Sequence, residues 1–287
     1  MGSRWSAKLG RIGVVVGLLL TAMPPAGAND GQLLWQKMSA KHFAIFQRYA
    51  RLMMTADAAH QSPLLALWAV RKLPLNEYLI KIGSADIDPS LASAGLILLQ
   101  GQLAAGEGNQ LDGQSAMDLD FQLKAVAELP SLDAGVPSID IYVSDQPLAD
   151  IGRIAVQHED GLQRQVARRG YGCQMARWLR GAEIVKAVGF LHAGADTVPP
   201  GSILTPIGMN VLCADRIALY GLGLDFLPAG ADPLGAQSIM TAYEPRDSVV
   251  ADYATDQPLV ELIYRSGIKP GTPKADVVKL IDGLKLQ

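Results

Sequence analysis

The chain has little cysteine, little charge and no recognisable catalytic signature. Cys173 and Cys213 are its only two cysteines in 287 residues, so no disulfide framework larger than one bridge is available. No Asn-x-Ser/Thr glycosylation acceptor occurs, which favours a bacterial secreted protein over a eukaryotic one. Charged residues make up only 18% of the chain against 49% hydrophobic, a balance that excludes the disordered class and fits a globular core. The net charge of −3 and a pI near 5.8 argue against general nucleic-acid binding. Beyond the first thirty residues no apolar run approaches the roughly 20 residues of a membrane-spanning helix. The most apolar, Leu91 to Leu103, is short and carries Gln100 and Gln102.

What is present begins with Arg4, Lys8 and Arg11, an apolar run from Ile12 to Met23, and the small residues of Pro24-Pro25-Ala26-Gly27-Ala28. This three-part pattern predicts a signal peptide over residues 1–28, cleaved after Ala28, and a periplasmic or secreted product with no membrane span after cleavage.

Helical spacing dominates the next hundred residues. Leu34, Met38, Ile45, Tyr49 and Met53 form one face of a helix over 32–56. Pro63 opens a second helix, kinked at Pro74 and ended by Gly83; Asp88-Pro89 starts a third; a fourth is expected from Gln114 to Leu129. The predicted class is a helix-rich α+β protein: a four-helix part over residues 29–130 packed on a mixed α/β part with few strands over 131–287, the two forming one continuous domain. Pro137 to Ser144 alternates apolar and polar residues and is read as a strand followed by a helix cap at Ser144-Asp145. Leu148–Ala167 and Cys173–Leu191 are read as two helices around Gly170 and Gly172. Ile203–Ile207 and Met209–Cys213 are candidate strands, and Asp256–Ser266 and a segment from Thr272-Pro273 are the last helices. The phrase Asp145-Gln146-Pro147-Leu148 recurs as Asp256-Gln257-Pro258-Leu259, which we read as convergent helix-start chemistry rather than a duplication.

Charge is segregated. Eleven acids face a single lysine between Gly83 and Asp150, whereas residues 151–190 hold seven bases and three acids. Mutual attraction of the two regions in the fold is the plainest consequence. Within the basic region Arg164, Arg168, Arg169, Arg177 and Arg180 surround Tyr171 and Trp178. A pair of helices presenting Arg164, Arg168, Arg177 and Arg180, with Tyr171 and Trp178, would suit a carboxylate, phosphate or other anionic ligand, or a protein partner.

The two cysteines, forty residues apart in a chain expected to leave the cytoplasm, predict a Cys173–Cys213 disulfide. A nucleophilic Cys173 with His158 or His192 as base is the competing chemistry, that of a secreted hydrolase, and a carboxylate pair is its variant. Other patterns fail. Gly113-Gln114-Ser115 lacks the second glycine of a nucleophile elbow, Gly221-Leu222-Gly223 lacks the third of a dinucleotide loop, and His158-Glu159 has no second histidine at metalloprotease spacing. His42 and His60 suit surface or partly buried positions, and the acids at Asp112, Asp118 and Asp120 a solvated face rather than a calcium loop. Neither a metal nor a cofactor is expected. The best-supported role is a secreted or periplasmic binding or interaction protein.

Overall fold

The computed structural model describes residues 34–55, 62–70, 72–80, 118–169, 173–193, 206–227, 238–240 and 256–286. The predicted signal peptide, the helix at Asp88-Pro89, His60 and Tyr171 lie outside them. The described residues form eight strands, β1 (Lys72–Ile80), β2 (Asp118–Val126), β3 (Leu132–Asp133), β4 (Ile139–Ser144), β5 (Val156–Gln157), β6 (Gln163–Arg169), β7 (Cys173–Arg180) and β8 (Glu183–His192). With them are four helices, α1 (Ala40–Thr55), α2 (Pro206–Gly221), α3 (Asp256–Arg265) and α4 (Lys274–Gly283), and a short 3-10 turn at Leu34–Lys37. Helix and strand are present in near-equal shares, about 31% and 34%, so the fold is not helix-rich.

Six strands make one mixed sheet in the order β2-β1-β4-β8-β7-β6. β2, β1, β4 and β8 run parallel, and β7 and β6 complete it as an antiparallel meander. The sheet thus draws on both halves of the chain. β3 and β5 pair separately in a two-stranded parallel ladder.

Alternation sorts each strand between two cores. One face carries Leu73, Leu75, Ile139, Ile141, Met175 and Leu191, and α1, α2, α3 and α4 cover it. The close approach of α2 to β8 is made at Gly189, where an added Cβ would lie 2.2 Å from Cγ2 of Ile217. The other face carries Ile80, Tyr142, Trp178, Val188 and Phe190 and is covered by the chain around Leu132, Ile151 and Val156, which includes the short strands β3 and β5. Tyr142 stacks on Tyr78 at 4.7 Å and meets Phe190 edge-on at 5.8 Å.

The helical face is tied together by a buried polar knot. Asp256, the first residue of α3, accepts from the Tyr49 hydroxyl on α1, the Ser238 hydroxyl at 2.6 Å and the Ile239 amide at 2.9 Å. Arg216 on α2 donates to the Ile239 carbonyl at 2.7 Å. Burial raises the Asp256 carboxyl to about 6 even though these donors work to lower it.

The predicted second helix is irregular chain followed by β1, and the predicted fourth overlaps β2. Pro74 does not break β1 because it lies ahead of Leu75, where pairing with β4 begins. Leu148–Ala167 and Cys173–Leu191 are not helices: they hold β5, β6, β7 and β8. Conversely, Met209–Cys213 lies inside α2 rather than a strand, and no helix follows Ser144. The last two helices sit where the spacing places them, α3 over 256–265 and α4 over 274–283.

Candidate functional site

Because the basic stretch is a meander, its arginines are split between the two sheet faces. Arg164 lies opposite Trp178 and Arg177 opposite Gln165 in the β6–β7 register. On the loop-covered face Arg164 bridges to Glu159, and its guanidinium lies over the Trp178 ring at 5.1 Å. Trp178 is wholly buried and donates its indole N–H to Glu159 at 3.0 Å. The hydrogen bond from Arg164 holds the Glu159 carboxyl below its usual range. Arg168 pairs with Asp150 at 2.6 Å, and Arg180 is exposed at the end of β7 opposite Glu183. Of the six residues nominated from sequence, the five that are described, Arg164, Arg168, Arg177, Trp178 and Arg180, lie on strands and not on a pair of helices, and Tyr171 is outside the described residues.

The expected attraction between acidic and basic regions is realised in part. Lys186 pairs with Asp140 at 2.5 Å in the sheet interior, and Arg168 and His158 pair with Asp150 and Asp133 at its margin. Lys186 also donates to the Ser138 hydroxyl at 2.6 Å and the Val136 carbonyl at 3.3 Å. Its three N–H donors are thus all engaged, and the group is a structural strut rather than a base.

Arg177 has the different setting. It projects from β7 toward the helical face beneath a cleft of about 420 Å³ lined by Ser62, Gln163, Gln165, Gly181, Tyr220 and Phe226 among others. Its guanidinium stacks over the Tyr220 ring at 4.5 Å, and its side chain is only 4% exposed. Nε donates to Gln165 Oε1 at 2.8 Å, Nη1 to the Tyr220 carbonyl at 3.3 Å, and Nη2 to Asp225. These bonds take three of its five donors, and among the described residues the remaining N–H of each terminal nitrogen has no partner. Asp225 is shared with Lys274 at 2.9 Å. Burial works to raise the Asp225 carboxyl, but the two cations more than offset it and hold it below the usual carboxylate range. Arg177 and Asp225 both line the cleft, and Lys274 meets Asp225 from outside that lining.

No family model, curated protein or solved structure matches the chain.

Cys173 on β7 is bonded to Cys213 on α2, with 5.8 Å between their Cα atoms. The bridge pins the meander to the helix layer and leaves no thiol for catalysis, which removes the cysteine-hydrolase reading. The bases proposed for it are elsewhere engaged: His158 lies at 2.8 Å from Asp133 and the His192 Nε2 lies 3.1 Å from the Asp145 carbonyl oxygen. Among the described residues no group of three or more His, Cys, Asp or Glu is placed to hold a metal ion, and no helix is long and apolar enough to cross a membrane.

Sequence reasoning missed Asp225, Lys274 and Tyr220 at the cleft, and it missed Glu77. Glu77 on β1 is wholly buried, and neither carboxylate oxygen has a hydrogen-bond partner among the described residues. Burial pushes its carboxyl up from 4.5 to about 7. The signal was available: Leu73, Leu75 and Leu79 alternate, with Glu77 in the vacant place of the series.

Proposed function

We propose that the protein is a secreted or periplasmic binding protein whose ligand, a small molecule carrying a carboxylate or similar oxyanion, docks in the cleft against Arg177. The observation that supports this most is the buried guanidinium at the cleft, held by three fixed bonds and an aromatic ring, with two of its five N–H donors unused among the described residues. Such an arginine has little conformational freedom left to lose on binding. The glutamine amides of Gln163 and Gln165 and the hydroxyl of Ser62 supply neutral polar contacts at the same cleft. Its volume falls in the range of sites for small ligands, roughly 300–1,000 Å³. Export rests on the leader sequence and is consistent with the disulfide.

The test is a thermal-shift and calorimetry panel of mono- and dicarboxylates, phosphates and uncharged analogues. Removing Arg177 would leave Asp225 with Lys274 alone and vacate a buried place beside Tyr220, disturbing the fold, so the informative variant is Gln163→Glu, at an exposed position on the cleft wall. An anion should stabilise the wild-type protein, and Q163E should bind it about tenfold more weakly, the size of one added like-charge contact. Stabilisation by no anion, or an affinity unmoved by Q163E, would overturn the assignment.

A further inference from the structure

Among the described residues β2 is the outer strand of the six-stranded sheet and pairs with β1 alone. Natural edges are usually blunted by shortness, proline, bulges or a covering element. Among the described residues β2 has none of these: it keeps unbroken register through nine pairs, contains no proline, and is exposed at Gln122, Leu123, Lys124 and Ala125. Leu123 is 42% exposed, one of the few large apolar side chains at the surface among the described residues. Among the described residues only charge protects the edge.

That charge is arranged with a centre of symmetry. Along β2, Asp120, Gln122 and Lys124 share one face of the sheet, and Leu119, Phe121 and Leu123 the other. A second β2 laid antiparallel about Gln122 brings Asp120 opposite Lys124 and Phe121 opposite Leu123, each twice, and Leu119 opposite Ala125. Both sets of directly opposed neighbours are of the kind that stabilises antiparallel pairs. Asp120 and Lys124 are also free of any close ion pair among the described residues: Asp120 accepts only from Gln122 at 3.3 Å, and Lys124 donates to Asn76 at 3.3 Å beside the Tyr78 ring.

We propose that two copies of this chain associate through β2, antiparallel about a two-fold axis at Gln122, so that their sheets continue into one. The interface is isologous, as a two-fold dimer requires. Its occupant is a second copy because the reversed β2 sequence satisfies the charge and the apolar positions together. The assignment is independent of the ligand cleft, which lies by β6 at the opposite edge of the sheet, and it would place the two clefts of a dimer at its far ends. A single pair of strand edges is a small interface, so association belongs in the micromolar range.

Sedimentation velocity over a concentration series on the full-length mature protein tests this. Wild type should show a monomer–dimer equilibrium. Asp120→Lys and Lys124→Asp should each weaken it about tenfold or more by replacing two opposite-charge pairs with like-charge pairs, and the D120K/K124D swap should restore it. Since both native cysteines are bonded to each other, Gln122→Cys supplies a lone thiol on the axis, and mild oxidation should link it into dimers far faster than Ser39→Cys, an exposed position away from β2. A monomer at all concentrations, single reversals without effect, a swap that fails to restore association, or equal linking by Q122C and S39C would each overturn the proposal. Association only with some other protein would do so too.

Discussion

Glu77 offers the sharpest quantitative test of how this sheet is built. A wholly buried carboxyl without a bonded oxygen is favoured in its neutral form, and its carboxyl is raised from 4.5 to about 7. One pKa unit corresponds to about 1.4 kcal/mol, so the native state carries a penalty of about 3 kcal/mol once the group ionises. The sign follows from proton binding: the folded protein holds this proton more tightly than the unfolded chain. The stability tied to Glu77 is therefore full below about 4.5, declines as pH rises toward about 7, and is lost above it. Glu77→Gln removes the titration and keeps a polar group of the same shape. Glu77→Leu removes both and completes the apolar series of Leu73, Leu75 and Leu79. Urea unfolding followed by far-ultraviolet circular dichroism at pH 5, 7 and 8.5 should show E77L gaining on wild type by about 3 kcal/mol between the acidic and alkaline ends. At about 2–4 °C per kcal/mol for a chain of this size, the alkaline Tm should rise by roughly ten degrees. E77Q should abolish the pH dependence with a smaller absolute gain, since its amide is still unbonded. A pH-independent difference, or a wild type more stable than E77L at pH 8.5, would mean that the carboxylate is ionised and paired, and the reasoning would fail.

Two further outcomes follow from the packing of α2. Reduction of the Cys173–Cys213 bridge releases a loop spanning 40 residues, which in the chain-entropy model costs about 4 kcal/mol; a shift of much under 1 kcal/mol in the urea transition with and without reductant would contradict it. Gly189→Ala places a methyl group within 2.6 Å of three Ile217 side-chain atoms and should destabilise by about 1–3 kcal/mol, whereas G189A combined with Ile217→Ala should recover part of that loss in the same assay.

Why so many strands read as helices is visible in β7 and β8. Both are buried on nearly every residue, because β8 lies inside the sheet and β7 is flanked by β6 and β8 with cores above and below. A strand buried on both faces has no polar alternation, and its continuous apolar content then satisfies helical spacing by default: Met175, Trp178 and Leu179 fall three and four apart as readily as on a helix. β4 escaped this because Asp140 and Ser144 interrupt its apolar series, even though Asp140 is buried by virtue of Lys186. β2 carries a clear alternation through Leu119, Phe121 and Leu123 that the helical expectation for 114–129 obscured. The arginines were recognised as a group, but only the strand register shows that Arg177 faces α2 while Arg164 faces the opposite core.

The tetrapeptide Asp-Gln-Pro-Leu separates what is local from what is not. At 256–259 it begins α3, where Asp256 is fixed by Tyr49 and Ser238; at 145–148 the same four residues continue from β4 as irregular chain. Sequence alone determined the one possible disulfide, the strand at β4, the two C-terminal helices and the segregation of charge, since these depend on residue type and near neighbours. Tertiary structure decided which segments became the inner strands, which arginine met a cleft and which carboxyl was left buried without a partner. Those are set by what covers each face of the sheet, and that covering comes from residues distant along the chain.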